Sequence, residues 1–205
     1  MAEPHLRLSR EEYLTRERRS EGKHEYLDGE VFAMTGASLQ HNRIVWNLAG
    51  ILYSQLRGRA CQACIGDMRI QVTATGLYTY PDLVVVCGEP RFADRELDTL
   101  LNPTLIVEVL SPSTEAHDRG KKFAHYRTIE SLAEVVLVSQ ERVEVERFSR
   151  QPDGGWLLLE ANRIEERLAL PSIGCELLLA DVYERVFGET ARGLEASPPP
   201  RDERV

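Results

Sequence analysis

Among the 205 residues of this sequence, Glu108 is the most informative candidate for a functional role, because its neighbours in the chain are apolar. It stands inside the apolar run LIVEVL, residues 105–110, which predicts a strand buried on both faces in the middle of a sheet. Because burial of an unpaired carboxylate is strongly unfavourable, Glu108 must have a partner. A structural arginine such as Arg69, a hydrogen-bond network or a metal ion would each meet this need, and Glu108 alone leaves the three open.

Asp82 adds a second carboxylate at the start of a neighbouring apolar strand. Residues 81–87 read PDLVVVC, and a Pro-Asp pair at the start of a central strand puts the carboxylate at the end of the sheet. Two carboxylates on adjacent buried strands repel each other unless a cation lies between them. Carboxylate oxygens suit Mg²⁺ and Mn²⁺, so the pair indicates a site for either ion.

Lysine is rare in this chain, which contains only Lys23, Lys121 and Lys122 among its 25 basic residues. We interpret these positions as places where a compact ammonium group is needed. If the segment after the Glu108 strand is helical, Lys122 shares a face with Asp118 and Tyr126 and points back toward the strand ends. The alternative is a surface lysine paired with Asp118, which would contribute little stability.

Glu25 and His41 are two further candidates. Glu25 lies in the first arm of a hairpin predicted over residues 24–34, whose Asp-Gly pair favours a two-residue turn. On its own it is an ordinary exposed strand glutamate. His41 lies on the apolar stripe of a helix predicted over residues 38–57, so it faces the core or a cleft. It is either a core histidine, the more common case, or a residue that contacts substrate or orients a carboxylate.

The order of predicted elements indicates a mixed α/β fold in which helices flank a sheet. A capping box at Ser9 predicts an N-terminal helix over residues 9–20, before the hairpin and the helix already described. Caps and apolar spacing between Leu110 and Glu134 predict a crossover helix, and a last helix is expected over 178–187. The predicted strands cover residues 60–65, 67–72, 81–87, 104–110, 134–139, 143–148 and 156–160.

Composition limits the class of protein. The formal net charge is −8 and 42% of the residues are hydrophobic, as in a folded globular chain. No apolar segment approaches the roughly 20 residues that span a bilayer, and the charged N-terminus is unlike a signal peptide, so we expect a cytoplasmic protein without membrane contact. One CxxC pair, Cys61 and Cys64, completes neither a disulfide framework nor a zinc site, and we interpret all four cysteines as reduced.

The order Glu25, Asp82, Glu108 and Lys122 resembles the PD-(D/E)xK phosphodiesterase superfamily, and more closely the Uma family of restriction endonuclease-like proteins. The segments KHEYLDGEVFAMTGAS, GDMRIQV, YPDLVVV and NPTLIVEVLSPST, followed by DRGKKFAHY, match that family's pattern from about residue 9 to residue 188. The resemblance implies one restriction endonuclease-like domain over residues 1–188, with a mixed β-sheet flanked by helices. The remaining tail, residues 189–205, is expected to be disordered.

The resemblance also implies metal-dependent hydrolysis of phosphodiester bonds, most directly in DNA. Asp82 and Glu108 would hold Mg²⁺ or Mn²⁺, and the carbonyl of Val109 would complete the coordination. Glu25 would bind a second metal or a metal-bound water. Lys122 would orient the attacking water or stabilise the developing negative charge.

One position departs from the superfamily motif. The motif has a lysine two residues after Glu108, where this chain has Leu110. In the family that this chain resembles, the following helix supplies the lysine, and Lys122 occupies that place. Lys121 is the competing candidate, although the i, i+4 relation to Asp118 favours Lys122.

Two classes of function stay open from the sequence. The first is a Mg²⁺-dependent DNA endonuclease, a homodimer by analogy with enzymes that cut both strands, with the apolar residues 97–101 as one contact surface. The second is a nuclease-fold module that binds nucleic acid or protein without turnover. The net charge of −8 opposes nucleic-acid binding unless clustered arginines form a local basic patch. The clusters are Arg16, Arg18 and Arg19; Arg57 and Arg59; and Arg142, Arg147 and Arg150.

Overall fold

The computed structural model describes residues 7–34 and 36–187, so the tail predicted over 189–205 lies outside the described residues. The helical segments are α1 (Arg10–Glu17), α2 (Leu39–Leu56), α3 (Glu115–His117), a π-helical turn (Asp118–Lys122), α4 (Phe123–Tyr126) and α5 (Leu179–Val182). The strands are β1 (His24–Leu27), β2 (Glu30–Ala33), β3 (Cys61–Ile65), β4 (Arg69–Val72), β5 (Leu77–Thr79), β6 (Leu83–Cys87), β7 (Thr99–Leu100), β8 (Leu105–Leu110), β9 (Glu134–Ser139), β10 (Val145–Arg150), β11 (Trp156–Ala161), β12 (Arg167–Leu170) and β13 (Cys175–Leu178). Across residues 7–34 and 36–187, no helix is long and apolar enough to cross a membrane.

Two sheets and a separate strand pair make up the β structure. The first sheet has the order β2-β1-β5-β4-β7, the second has the order β11-β10-β9-β8-β6-β3, and β12 pairs with β13. The chain passes from the second sheet to the first at Gly66, whose φ of +57° suits the turn between β3 and β4. The predicted mixed α/β fold is confirmed, although its strands are divided among sheets.

Helical segments cover both faces of the second sheet. On one face α2 buries Ile44, Leu48, Leu52 and Leu56 at successive turns against the central strands. On the other face Phe123 and Tyr126 of α4 join a second hydrophobic cluster. Because β6 and β8 lie between these layers, both strands are buried on both faces, as their continuous apolar sequences predict.

The N-terminal helix and hairpin form as predicted. The Ser9 hydroxyl accepts the Glu12 backbone N–H, and the Glu12 carboxylate accepts the Ser9 N–H, which completes the capping box of α1. Asp28 and Gly29, with φ values of 49° and 90°, form the two-residue turn between β1 and β2. The hairpin is fixed to α1 through stacked rings, with Tyr13 and Tyr26 centroids 4.9 Å apart.

Two predicted helices differ in the structure. The crossover between β8 and β9 is a short helix, a π-helical turn and a second short helix rather than one regular helix. Gly120 lies in the π-helical turn, where glycine's low helix propensity weakens the regular pattern. The last helix ends at Val182 and not at 187, and the positive φ of Arg185 (58°) is incompatible with its continuation.

The surface proposed for a dimer at residues 97–101 is mostly internal. Thr99 and Leu100 form β7, which pairs in parallel with β4, and both are buried. Leu97 is exposed. The sequence did not reveal this strand because two residues are too few to show a periodic pattern.

The expectation that all cysteines are reduced is wrong for two of them. Cys61 of β3 and Cys87 of β6 form a disulfide, while Cys64 and Cys175 are free. Cys61 and Cys87 are directly opposite in the antiparallel register. Cys64, the other cysteine of the CxxC pair, lies three residues after Cys61 in the same strand, and residues three apart in a strand point to opposite faces of the sheet.

Candidate active site

Glu108 lies in β8, and Asp82 immediately precedes β6, the antiparallel neighbour of β8 in the second sheet. The last register pair of β6 and β8 on this side joins Leu83 to Val107, so the next step along places Asp82 opposite Glu108. The backbone N–H of Val109 donates a hydrogen bond of 2.7 Å to Oδ2 of Asp82. The sheet itself therefore holds the two carboxylates together at one end of β6.

His41 fixes the other oxygen of Asp82. Its Nε2 lies 2.9 Å from Oδ1 of Asp82, and its side chain is 16% exposed. Ser38 caps the N-terminus of α2 by accepting the His41 backbone N–H, which sets the start of the helix at this place. Of the two interpretations of His41, the structure therefore supports the one in which it orients a carboxylate.

Glu108 is almost completely buried and has two polar contacts at the same oxygen. The Tyr126 hydroxyl donates a hydrogen bond of 2.5 Å to Oε1, and Nζ of Lys122 lies 3.0 Å from Oε1. These contacts exclude the alternative in which Arg69 is the partner, because Arg69 instead pairs with Asp98 and donates to Tyr80. The carboxylate of Glu108 has a lysine and a tyrosine as its partners.

Lys122 contacts carboxylates from both sheets. Its ammonium lies 3.1 Å from Oε1 of Glu25, which belongs to β1 of the first sheet, and 3.7 Å from Oδ1 of Asp118. The Glu25 carboxylate also accepts a hydrogen bond from the Thr79 hydroxyl of neighbouring β5. Lys122 is 6% exposed, whereas Lys121 is exposed, so of the two competing lysines only Lys122 enters the site.

A π-helical turn contains Lys122 and leads into the short helix that contains Tyr126. It begins at Asp118, ends at Lys122 and passes directly into α4, so it inserts a wider turn just before Tyr126. Lys122 and Tyr126 still reach the same oxygen of Glu108. Segments of π-helix inside longer helices are frequent at functional sites.

Burial and the neighbouring charges act in opposite directions on the pKa values of Glu108 and Lys122. Burial, with the nearby charges of Asp82 and Asp118, raises the pKa of Glu108 to about 8 in spite of Lys122. Burial also raises the pKa of Asp118. For Lys122 burial alone would lower the pKa, but the surrounding acidic groups outweigh it and hold the pKa well above its usual value. Lys122 therefore stays protonated.

The pKa of Glu25 is lowered, whereas that of Glu108 is raised. Its burial would raise the pKa, but the charge of Lys122 and the hydrogen bonds from Thr79 and Lys122 lower it overall. Glu25 is therefore the carboxylate that Lys122 keeps ionised. Glu108 is the one that retains a proton most readily.

The donor chemistry of the site fits a divalent cation. As the side chains stand, no group of three or more His, Cys, Asp or Glu residues in the described part of the chain is arranged to hold a metal ion. However, three carboxylates lie within 3.7 Å of the Lys122 ammonium, and Asp82 adds a fourth beside Glu108, so the site has a formal excess of three negative charges if all are ionised. Tyr126 and Lys122 contact Oε1 of Glu108, which leaves Oε2 for another ligand. Carboxylate oxygens are the ligands of Mg²⁺ and Mn²⁺.

Most of the arginines in the suggested patches contact other groups of the protein. Five of the eight clustered arginines bind groups of the protein itself. Arg18 pairs with Asp94 and Asp98, and Arg142 with Glu144. The other three, Arg59, Arg147 and Arg150, donate to backbone carbonyls. The donors that make these contacts are not available to phosphates in this conformation, whereas Arg16, Arg19 and Arg57 are exposed.

The sequence model of the Uma2 family, described as "Putative restriction endonuclease", matches residues 10–180 of the chain. The chain belongs to this family. Two relatives in Synechocystis sp. (strain PCC 6803) agree over most of the length. The uncharacterized protein slr1290 is 41% identical over 181 residues, 88% of this chain and 93% of that protein. The uncharacterized protein sll1609 is 39% identical over 153 residues, 75% of this chain and 86% of that protein.

A solved structure has the same fold as this Uma2 protein. It is described as a putative nuclease belonging to DUF820 from Anabaena variabilis ATCC 29413. The TM-score is 0.70 with 18% sequence identity, over 87% of this chain and 99% of that one. At this identity the likeness shows the fold alone, and the fold is that of a restriction endonuclease-like nuclease.

Two contacts of the Uma2 site were not assigned from the sequence. Thr79 lies in a strand too short to be predicted, so nothing in the sequence marks its bond to Glu25. The sequence marks Tyr126 only as a residue on the same helical face as Lys122. Its spacing from Lys122 was the available signal, because residues four apart on a helix reach the same neighbour.

Proposed function

We propose that this protein is a metal-dependent endonuclease that hydrolyses phosphodiester bonds in DNA. The observation that supports this most strongly is the meeting of Glu25 and Glu108 at Lys122, with Asp82 on the adjoining strand. Carboxylates for a divalent ion and a protonated lysine are the groups that hydrolysis of a phosphodiester requires. Membership of the Uma2 family supports the same reaction class.

In this proposal Asp82 and Glu108 hold Mg²⁺ or Mn²⁺, and the Val109 carbonyl completes the ligand set. The bound ion supplies Lewis-acid polarisation of the phosphate and makes water a stronger nucleophile. His41 and the Val109 N–H keep both oxygens of Asp82 in place. Tyr126 would hold Oε1 of Glu108 and leave the other oxygen of that carboxylate free to bind the cation.

Lys122 acts by charge rather than as a base. Because its ammonium stays protonated, it donates hydrogen bonds to the attacking water or to the phosphate oxygen on which negative charge develops. Glu25 keeps the ammonium aligned from the opposite sheet and is the proposed ligand of a second cation or of its water. Thr79 fixes Glu25 in turn.

We also propose that the protein works in the cytoplasm, and that it works as a homodimer by analogy with nucleases that use two active sites to cut both strands of a duplex. Size-exclusion chromatography with light scattering measures the mass in solution. A mass near 47 kDa, twice the 23.3 kDa of one chain, is expected. A mass near that of one chain would contradict the dimer without affecting the chemistry of the single site.

Cleavage of supercoiled plasmid in Mg²⁺ or Mn²⁺ tests the proposed reaction. The wild-type protein should convert plasmid to nicked and linear forms, and EDTA should stop the conversion. Asp82→Asn, Glu108→Gln and Lys122→Met should each lose at least about 100-fold in rate. Lys121→Met, at the exposed neighbour of Lys122, and Glu89→Gln, at an exposed glutamate outside the site, should cleave like the wild type.

Two outcomes would overturn the proposal. Cleavage that survives both Asp82→Asn and Lys122→Met would show that another group carries the reaction. Absence of cleavage by the wild type, together with absence of Mg²⁺ or Mn²⁺ binding in calorimetry, would favour a nuclease-fold module that binds nucleic acid or protein without turnover. The observation that favours this second function is the pairing of five clustered arginines within the protein.

A further inference from the structure

Phe32 is an aromatic side chain beside the candidate active site with no part in the core. It lies in β2, the edge strand of the first sheet, and 49% of its surface is exposed. In the register of the hairpin Phe32 is directly opposite Glu25. Side chains directly opposite in an antiparallel pair lie on the same face of the sheet. Phe32 therefore stands next to Glu25 on the face where Lys122 binds.

The alternation of the hairpin makes this placement specific. Val31, the preceding residue, is opposite Tyr26, which packs with Tyr13 on the α1 side of the sheet. Phe32 points to the other side because successive strand residues alternate between faces. The hairpin thus presents one aromatic ring to the site side, next to a carboxylate of the proposed catalytic group.

An exposed ring beside a phosphodiester site suits stacking on a nucleobase. Stacking between an aromatic side chain and a base needs no positive charge and accepts any base. A base inside a duplex is covered by its neighbours on both sides, so the ring can reach only a base that is unpaired. The binding energy for a duplex comes largely from phosphate contacts, and five clustered arginines that would supply them are paired within the protein.

We infer that Phe32 stacks on an unpaired nucleobase next to the phosphodiester that is cut, so that DNA with single-stranded character is the preferred substrate. This inference rests on the proposed nuclease function. Phe32 serves binding and substrate choice, and the reacting groups remain Asp82, Glu108 and Lys122. Edge strands usually carry charges that prevent other chains from pairing with them, and a substrate that covers the ring accounts for an apolar residue at this place.

Binding to defined oligonucleotides tests the inference without cleavage. Fluorescence anisotropy in EDTA, and again in Ca²⁺, compares a single strand, a duplex with a single-stranded flap and a fully paired duplex. Phe32→Ala should weaken binding of the first two about 10-fold, within the range of 5- to 150-fold expected for one stacked base, and leave duplex binding unchanged. Phe32→Tyr should bind like the wild type, because it keeps the ring.

The matched control is Val31→Ala, which removes an exposed apolar side chain of the same strand from the opposite face. It should leave binding unchanged. A 2-aminopurine base in the flap provides a direct signal, because its fluorescence changes when the base stacks on an aromatic ring. That change should be present with the wild type and Phe32→Tyr and absent with Phe32→Ala.

The outcomes separate this inference from the proposed function. Equal binding of all three DNAs, no effect of Phe32→Ala, or no DNA binding by the wild type would each overturn the role of Phe32. If the wild type cleaves plasmid but Phe32→Ala binds DNA as tightly as the wild type, the inference is overturned and the nuclease function stands. Binding that depends on Phe32 without any cleavage in Mg²⁺ or Mn²⁺ would support the inference and reject the nuclease function.

Discussion

Nζ of Lys122 lies 3.0 Å from Oε1 of Glu108, and both side chains are less than a tenth exposed. The same ammonium reaches Glu25, which belongs to the other sheet. One lysine therefore joins the two sheets at the place where the carboxylates gather.

Lys122→Met should lower the free energy of unfolding by about 3 kcal/mol at neutral pH. Removing the one ammonium leaves buried carboxylates without a counter-charge, which costs roughly 3–5 kcal/mol in comparable buried pairs. Urea denaturation measures the change. Lys121→Met should remain within about 0.5 kcal/mol of the wild type, as expected for an exposed site. Equal stability of the two variants would show that Lys122 does not balance the buried charges.

The stability that Glu108 contributes should fall as the pH rises. Its folded pKa is raised to about 8, chiefly by burial, so the folded chain holds a proton that the unfolded chain has already released. The contribution is complete below about pH 4 and is lost as the pH passes through 8. Glu108→Gln should therefore gain stability relative to the wild type between about pH 5 and pH 9 in metal-free buffer.

The control for this pH series is Glu89→Gln, at an exposed position. Its stability relative to the wild type should stay constant over the same pH range, measured by urea denaturation at each pH. A Glu108→Gln difference that is also constant, or that falls with pH, would contradict the raised pKa.

His41→Ala should weaken binding of Mg²⁺ or Mn²⁺ about 10- to 100-fold, the usual effect of losing a residue that orients a metal ligand. The imidazole lies 2.9 Å from Oδ1 of Asp82 and restricts that carboxylate to one orientation. Isothermal titration calorimetry measures the affinity. Gln40→Ala, at the preceding residue of α2, is the control and should bind the ion like the wild type. Unchanged affinity in His41→Ala would show that the Val109 N–H positions Asp82 without help.

Tyr126→Phe and Tyr26→Phe form a matched pair of variants. Each removes one hydroxyl from a buried tyrosine: that of Tyr126 donates to Glu108, and that of Tyr26 donates to the Leu8 carbonyl. Both should lose about 1–2 kcal/mol of stability. Only Tyr126→Phe should reduce plasmid cleavage, because only Tyr126 holds a proposed metal ligand. An equal loss of cleavage in both variants would show that the Tyr126 hydroxyl contributes to stability alone and does not position Glu108 for the reaction.

Reduction of the Cys61–Cys87 bond should lower the free energy of unfolding by about 3 kcal/mol, because the cross-link restricts the unfolded chain. Denaturation with and without dithiothreitol measures the difference. Cys61→Ser should show the lower stability in both conditions, while Cys64→Ser should respond to the reductant like the wild type. A thiol assay on the denatured, unreduced protein should find two free thiols, and four would contradict the disulfide.

Local patterns in the sequence determined much of the fold. The continuous apolar runs predict the buried strands β6 and β8, the four-residue spacing predicts α2, and Asp28-Gly29 predicts the hairpin turn. Each depends on residues close together in the chain, where backbone periodicity and turn geometry act directly. The same locality explains the failures, since β5 and β7 are too short to show a period.

The sequence by itself also determined the order of the four candidate residues and the need of Glu108 for a partner, because a carboxylate in an apolar strand cannot be left unpaired. Only the tertiary structure decided that Lys122 is that partner, that it binds Glu25 as well, and that His41 faces Asp82. It also paired Cys61 with Cys87 and engaged five of the eight clustered arginines in contacts within the protein. These contacts join residues far apart in the chain, and their distances are set by the packing of sheets and helices rather than by local spacing.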